Sequence, residues 1–172
     1  MSEDAKAVAA GHSEVRPGYV RAVWPMGAGA LIRDGLGRVL LVNPTYHADR
    51  WLMAGGGLDR DGLSPRQTLA RELREELGLD LPVGRLLVVD WIPEEGRFFE
   101  ETIYVFDCGV LDEHAQAAVR LPEKELSGFG FFDVEEACKR LADHDARRLR
   151  EAYAALERGT GSVYLESGRV PR

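Results

Sequence analysis

The segment from Ser64 to Gly78 constrains the fold most, because it carries every local signal of a helix. Ser64 is a helix N-cap, Pro65 occupies the first helical position, and Gln67 completes a capping box. A leucine recurs every fourth residue to form an apolar stripe, and Gly78 supplies the C-terminal stop. The sequence therefore predicts an amphipathic helix that buries Leu69, Leu73 and Leu77.

The same helix carries three glutamates on one side. At about 100° per residue, Glu72, Glu75 and Glu76 fall within one arc beside the leucine stripe. Two interpretations are open: a solvated acidic face trimmed by Arg71 and Arg74, or a site for a divalent cation. Oxygen-only ligands suit a hard ion such as Mg²⁺ or Mn²⁺ rather than zinc, for which the sequence shows no Cys/His grouping.

Strand-like and helical segments surround this helix. Runs rich in β-branched, aliphatic and aromatic residues predict strands at 27–33, 38–43, 51–53, 85–92, 101–110 and 128–134. Helical patterns follow at 134–141 and 145–158. This order predicts an α/β fold, with residues 1–18 as a flexible N-terminal tail, 19–158 as one domain and 159–172 as a C-terminal tail.

Composition and charge exclude several functional classes. The 172 residues carry a net charge of −7, which argues against non-specific binding of nucleic acid through its phosphates. No apolar run approaches the ~20 residues that a membrane span needs. The N-terminal sequence M-S-E-D-A-K predicts no signal peptide, and the distant Cys108 and Cys138 are interpreted as reduced thiols, so a cytoplasmic protein is expected.

The loop before the helix favours the cation site. It reads A-G-G-G-L-D-R-D-G, and glycines let backbone groups approach a bound ion or phosphate closely. Together the loop and helix resemble the signature of the Nudix hydrolase family, G-x5-E-x7-R-E-U-x-E-E-x-G-U, with U an aliphatic residue. Gly57, Arg71 to Leu73, Glu75, Glu76, Gly78 and Leu79 are in register, whereas Leu63 replaces the first glutamate.

The resemblance implies an α/β/α sandwich with a mixed central sheet, here a Nudix-like domain. It also implies hydrolysis of a nucleoside diphosphate linked to another group, with water attacking phosphorus. Glu72, Glu75 and Glu76 match the family's metal-binding glutamates, and the Gly57 carbonyl matches its backbone ligand. Arg71 matches the arginine that orients a signature glutamate, and Glu72 is also a candidate to accept a proton.

Other candidates lie outside the signature. Glu125, in the loop before the run at 128–134, is predicted as an extra ligand or base, with a solvated glutamate as the alternative. Arg50, Arg60 and Arg97 are candidates to meet phosphates, although each is equally typical of a surface arginine. Leu63 keeps a second function open, a Nudix-like nucleotide-binding or regulatory module with weak or no catalysis. The C-terminal helix and tail are candidates to support a homodimer.

Overall fold

The structure, a computed structural model, describes residues 25–47, 50–59, 61–95 and 100–171. Its elements in chain order are β1 (Met26–Asp34), β2 (Val39–Pro44), β3 (Gly55–Gly57), α1 (Pro65–Leu77), β4 (Leu86–Ile92), β5 (Glu101–Leu111), α2 (Glu113–Ala118), β6 (Leu126–Phe132), α3 (Val134–Cys138), α4 (Asp143–Arg158) and β7 (Val163–Glu166). A short 3₁₀ helix, Thr45–His47, follows β2.

The strands of the described residues form one mixed sheet. Its order is β6-β2-β1-β5-β4-β7, and β3 pairs with β1 beside this path. β1 runs parallel to β5, and β4 runs parallel to β7, whereas the other pairs are antiparallel. The N-terminal half of β1 therefore has the glycine strand β3 on one side and β5 on the other.

Helices cover both faces of the sheet. Successive side chains along a strand point to opposite faces, so each face carries apolar residues that pack against a helix. In β1, Ala30 and Ile32 belong to the apolar cluster that includes the leucines of α1, whereas Leu31 belongs to the cluster that includes α4 residues such as Leu149. The predicted α/β/α sandwich with a mixed central sheet is thus confirmed.

Helix α1 begins and ends as its local sequence predicts. The Ser64 hydroxyl accepts from the Gln67 backbone N–H, and the Gln67 side chain accepts from the Ser64 backbone N–H, which completes the capping box. Gly78 adopts the left-handed conformation, with φ 68°, and its N–H donates to the Arg74 carbonyl. The three leucines of the stripe have no exposed surface. These anchors fix the rotation of α1, and hence the direction of its glutamates.

Two segments differ from the sequence expectation. Residues 159–172, expected to be a tail, contain β7, which pairs with β4 from Val88 to Trp91 and so adds a strand to the sheet. Of the predicted strand at 51–53, only Leu52 makes a ladder contact, an isolated bridge to Val42, and the pairing with β1 falls instead on the glycines that follow. Residues 1–18 lie outside the described residues.

Helix length and hydropathy bear on membrane insertion. Within the described part of the chain, no helix combines the length and the apolar character that a membrane crossing requires.

Candidate active site

Two of the three glutamates of α1 lie against the glycine strand β3. Oε2 of Glu76 accepts a hydrogen bond of 2.7 Å from the Gly55 N–H. The Glu72 carboxyl group lies so close to Gly56 that a Cβ added there would be 2.6 Å from it. The glycines of β3 therefore allow both carboxylates to approach the backbone.

Gly55 has a further constraint that excludes other residues. Its φ is +137°, and an added Cβ would lie 2.1 Å from the carbonyl oxygen of Ala28. Any side chain there would push β3 away from β1, and the hydrogen bond to Glu76 would move with it. Gly57, the predicted backbone ligand, is exposed at the end of the same strand and pairs with Gly27.

Burial and mutual repulsion raise the pKa values of these carboxyl groups. For Glu76, burial raises the pKa to about 7; the hydrogen bond from Gly55 opposes this, and the charges of Glu72, Glu125 and Glu75 add to it. Burial also raises the pKa of Glu72, and the nearby Arg71 guanidinium partly offsets the rise. The carboxylates around Glu72 and Glu76 therefore carry more negative charge than the neighbouring Arg71 neutralises.

Arg71 holds three carboxylates around this face. Its Nη2 lies 2.9 Å from Glu72 Oε1 and 3.2 Å from Asp59 Oδ2, and its Nη1 lies 3.1 Å from Glu75 Oε2. Glu75 is therefore turned toward Arg71 and is more than half exposed, at 54 %. The sequence analysis missed Asp59, because its contact with Arg71 depends on how the loop folds back onto the helix.

Glu125 comes close to the same glutamates from a different part of the chain. Its backbone carbonyl accepts a hydrogen bond of 2.8 Å from the Thr45 N–H, which ties the loop before β6 to the end of β2. Its charge contributes to the raised pKa values of both Glu72 and Glu76. The exposed Glu125 side chain thus adds a carboxylate to the electrostatics of the site.

The donor chemistry of this face fits a hard divalent cation. Carboxylate oxygens are the ligands that Mg²⁺ and Mn²⁺ prefer, and two half-buried carboxylates with raised pKa values are stabilised by a neighbouring positive charge. The described residues do not, however, bring three His, Cys, Asp or Glu side chains together as a ready cluster of metal ligands. Arg71 engages Glu72 and Glu75 here, and the three-glutamate cation site stays a prediction.

A cavity of about 340 Å³ opens on the other side of β3. Its walls include the glycines of β3, the start of β1, Tyr46, and residues of β5 and α4, namely Glu101, His144, Asp145 and Arg148. The sequence analysis does not bring these four residues together, because Glu101 comes from a part of the chain distant from the other three. The one local signal that could have indicated part of this group is the i,i+3 spacing of Asp145 and Arg148, which is typical of an ion pair on a helix.

The remaining predicted residues lie in different settings. Leu63 is half-buried, belongs to neither described apolar cluster, and donates its N–H to Asp61 Oδ1 at 2.9 Å. Arg50 is exposed and is not part of the cavity wall among the described residues. Arg60 and Arg97 lie outside the described residues. Of the three arginines, the structure therefore places only Arg50, and it lies outside the cavity wall.

Solved structures of other proteins share this fold. The MutT protein from Methanosarcina mazei Go1 is 22 % identical with a TM-score of 0.63, over 82 % of this chain and 98 % of that one. A UDP-X diphosphatase is 24 % identical with a TM-score of 0.66, over 95 % and 76 %. The ORF135 protein of E. coli is 27 % identical with a TM-score of 0.62, over 79 % and 92 %.

A family comparison extends this result from the fold to the sequence. No curated protein sequence matches the chain. The family described as NUDIX domain matches residues 23–156, a span that includes β1, the glycine strand, α1 and most of α4. Since that match covers most of the chain, this protein belongs to the Nudix family and is a Nudix-type pyrophosphohydrolase.

Proposed function

We propose that this chain hydrolyses the phosphoanhydride bond of a nucleoside diphosphate linked to another group, with Mg²⁺ or Mn²⁺ as its cofactor. One observation carries the proposal: the glycines of β3 contact Glu72 and Glu76 on one side and line the cavity on the other. A substrate whose ring-bearing end occupies the cavity then extends its phosphates past β3 toward the glutamates.

Glu72, Glu75, Glu76 and the backbone carbonyl of Gly57 are the proposed cation ligands. When bound, the cation neutralises charge on the phosphate oxygens and acidifies a water molecule. The chain's own residues prepare this site. The Gly55 N–H orients Glu76, and Arg71 orients Glu72 from the solvent side.

Two carboxylates are proposed to accept the proton of the attacking water. Glu72 lies at the glycine strand, and Glu125 lies near enough for its charge to affect Glu72 and Glu76. A positioned general base contributes roughly 10²–10⁴-fold to such a rate. Water adds to one phosphorus, the bridging P–O bond breaks, and each product keeps a terminal phosphate.

The site residues described above do not identify the group that is linked to the nucleoside diphosphate. One similar structure is called a UDP-X diphosphatase and another, from Streptococcus suis 89-1591, an ADP-ribose pyrophosphatase. These names support a panel of nucleoside diphosphate sugars, supplemented with dinucleoside polyphosphates and nucleoside triphosphates. Arg50, Arg60 and Arg97 are retained as candidates to meet the phosphates of such substrates.

A hydrolysis assay over this panel, with Mg²⁺, Mn²⁺ or EDTA, tests the proposal. We expect at least one class to yield two products with terminal phosphates when the metal is present, and no turnover in EDTA. Binding of the same compounds without hydrolysis under any metal condition would contradict it. That outcome favours the binding-module alternative, for which the substitution of the first signature glutamate by Leu63 is the supporting observation.

A further inference from the structure

The cavity ends at a buried ionic cluster that the proposed hydrolysis does not use. Arg148 on α4 is only 4 % exposed, and its Nε donates a hydrogen bond of 2.8 Å to Asp90 Oδ2. Its Nη1 donates to Asp145 Oδ1. Asp90 is fully buried and also accepts a hydrogen bond of 2.9 Å from the Gly168 N–H. The Arg148 guanidinium is therefore fixed in one orientation.

The second amino group of Arg148, Nη2, is buried without a partner. No hydrogen-bond acceptor from the described part of the chain meets it. Buried donors in folded proteins are nearly always paired, so each exception needs an explanation. Because Arg148 is one of the residues that line the cavity, a ligand there is the candidate for the missing acceptor.

Glu101 brings a carboxylate to the same end of the cavity. Its Oε1 lies beside Gly27, where an added Cβ would meet it at 3.3 Å. Burial raises the pKa of Glu101, and the charge of Arg148 acts against that rise, which places the two groups within electrostatic range. Within the described part of the chain, the Glu101 side chain forms no hydrogen bond or ion pair. It lines the cavity together with Arg148.

The balance of charge indicates what kind of group fits here. The carboxylates of Asp90, Asp145 and Glu101 outnumber the Arg148 guanidinium, so a phosphate would meet net repulsion. An uncharged group meets no such repulsion. If it carries an acceptor and a donor side by side, the acceptor can pair with Arg148 Nη2 and the donor with the Glu101 carboxylate. At about 340 Å³ the cavity is at the small end of ligand pockets, so it suits one ring rather than an entire substrate.

We propose that Arg148 and Glu101 form a specificity site for the uncharged ring-bearing end of the substrate. The ring accepts a hydrogen bond from Arg148 Nη2 and donates one to Glu101. A nucleobase edge and a pair of sugar hydroxyls share this chemistry. The inference rests on the proposed function, because the ring belongs to the proposed substrate. The phosphates of that substrate face the glutamates on the other side of β3.

Binding of phosphate-free fragments tests this site independently of catalysis. Ligand-observed NMR in EDTA measures the affinities of adenosine, guanosine, cytidine, uridine, ribose and glucose. We expect one class, nucleosides or sugars, to bind wild type and the control Glu157→Gln equally, since Glu157 is exposed on α4 away from the cavity. Glu101→Gln should weaken that binding by about tenfold, because a neutral amide oxygen replaces the charged carboxylate and accepts a weaker hydrogen bond from the ligand.

Arg148→Lys provides a second variant, since it keeps a positive charge beside Asp90 but removes Nη2. It should weaken binding of the same fragment class, with its thermal melt as the check on folding; if it does not fold, Glu101→Gln alone decides. Wild-type affinity for every fragment in Glu101→Gln, no fragment binding at all, or displacement of bound fragments by inorganic phosphate would overturn the proposal. Fragment binding that depends on Glu101 in a protein without metal-dependent turnover would leave this site standing and refute only the proposed hydrolysis.

Discussion

Arg71 and Asp59 form an ion pair between the helix and the loop that precedes it, with 3.2 Å between Nη2 and Oδ2. The same guanidinium contacts Glu72 at the glycine strand. In the signature that the sequence resembles, a glutamate stands at the position of Leu63, and this arginine orients a signature glutamate. Asp59 thus supplies a loop carboxylate to Arg71 in a chain that lacks the glutamate at position 63.

Asp59→Asn is expected to reduce activity by roughly tenfold, because a looser Arg71 no longer fixes Glu72 and small misplacements in a site are costly. Stability should change little, since Asp59 is 73 % exposed and exposed ion pairs contribute little. Steady-state kinetics and thermal melts measure both. Asp80→Asn is the matched control, because Asp80 pairs with Arg74 on the same helix at 3.0 Å in an exposed setting. Equal rates for the two variants would show that Asp59 has no special part.

Leu63→Glu in the Asp59→Asn background is expected to restore part of the lost activity. A carboxylate at position 63 returns the signature's own acidic group, and Leu63 can be replaced without opening a cavity because it packs in neither described apolar cluster. In the wild-type background the same substitution should raise the rate or lower the Mg²⁺ concentration needed. Rates measured against Mg²⁺ concentration test this. No change in either background would make position 63 irrelevant to the chemistry.

Gly56→Ala is expected to reduce activity by roughly 10²-fold, because the new Cβ would lie 2.6 Å from the Glu72 carboxyl group and displace it. Gly128→Ala is the control, since an added Cβ there meets no atom within 4 Å and the residue also lies in a strand. Initial rates and circular dichroism of the two variants are compared. A fully active Gly56→Ala would show that contact between Glu72 and β3 is dispensable.

Glu76→Gln is expected to stabilise the metal-free protein at alkaline pH. The pKa of Glu76 rises from its ordinary value of 4.5 to about 7 on folding, so the folded state loses stability as pH increases through that window. Above pH 7 the variant should be more stable than wild type by up to ~3 kcal/mol, whereas below pH 4.5 the two should match. Its carbonyl oxygen can still accept the Gly55 N–H.

Chemical unfolding in EDTA across this pH range measures the difference. Added Mg²⁺ or Mn²⁺ should raise the melting temperature of wild type by mass action and that of Glu76→Gln much less. An identical metal response in both proteins would remove Glu76 from the set of cation ligands.

The parts of the fold that are predictable from sequence are those fixed by local interactions. The capping box of Ser64 and Gln67, the leucine stripe and Gly78 all act within one helix, so α1 follows from its own residues. The family signature runs from Gly57 through this helix to Leu79, and it indicates the fold and the class of chemistry. Strands that are continuous runs of aliphatic, β-branched and aromatic residues, such as β2 and β5, are recognisable for the same local reason.

The parts that escape prediction depend on distant partners. β3 consists of glycines without side chains, so its strand conformation comes from pairing with β1 rather than from its own propensity. β7 forms because β4 offers it an edge far back in the chain. Likewise, no local pattern indicates that Arg71 reaches Asp59, or that Arg148 and Glu101 share a cavity.

The central claim is that Glu72 takes part in metal-dependent phosphoanhydride hydrolysis. The most direct test measures the hydrolysis rate against Mg²⁺ concentration for wild type and for Glu72→Gln. Glu157→Gln carries the same chemical change at an exposed position of α4 and serves as the control. The account predicts a saturable, EDTA-sensitive rate for wild type and for Glu157→Gln. For Glu72→Gln it predicts a rate lower by about 10²-fold or more at every Mg²⁺ concentration. A Glu72→Gln protein that hydrolyses the substrate at the wild-type rate, with the same Mg²⁺ dependence, would contradict it.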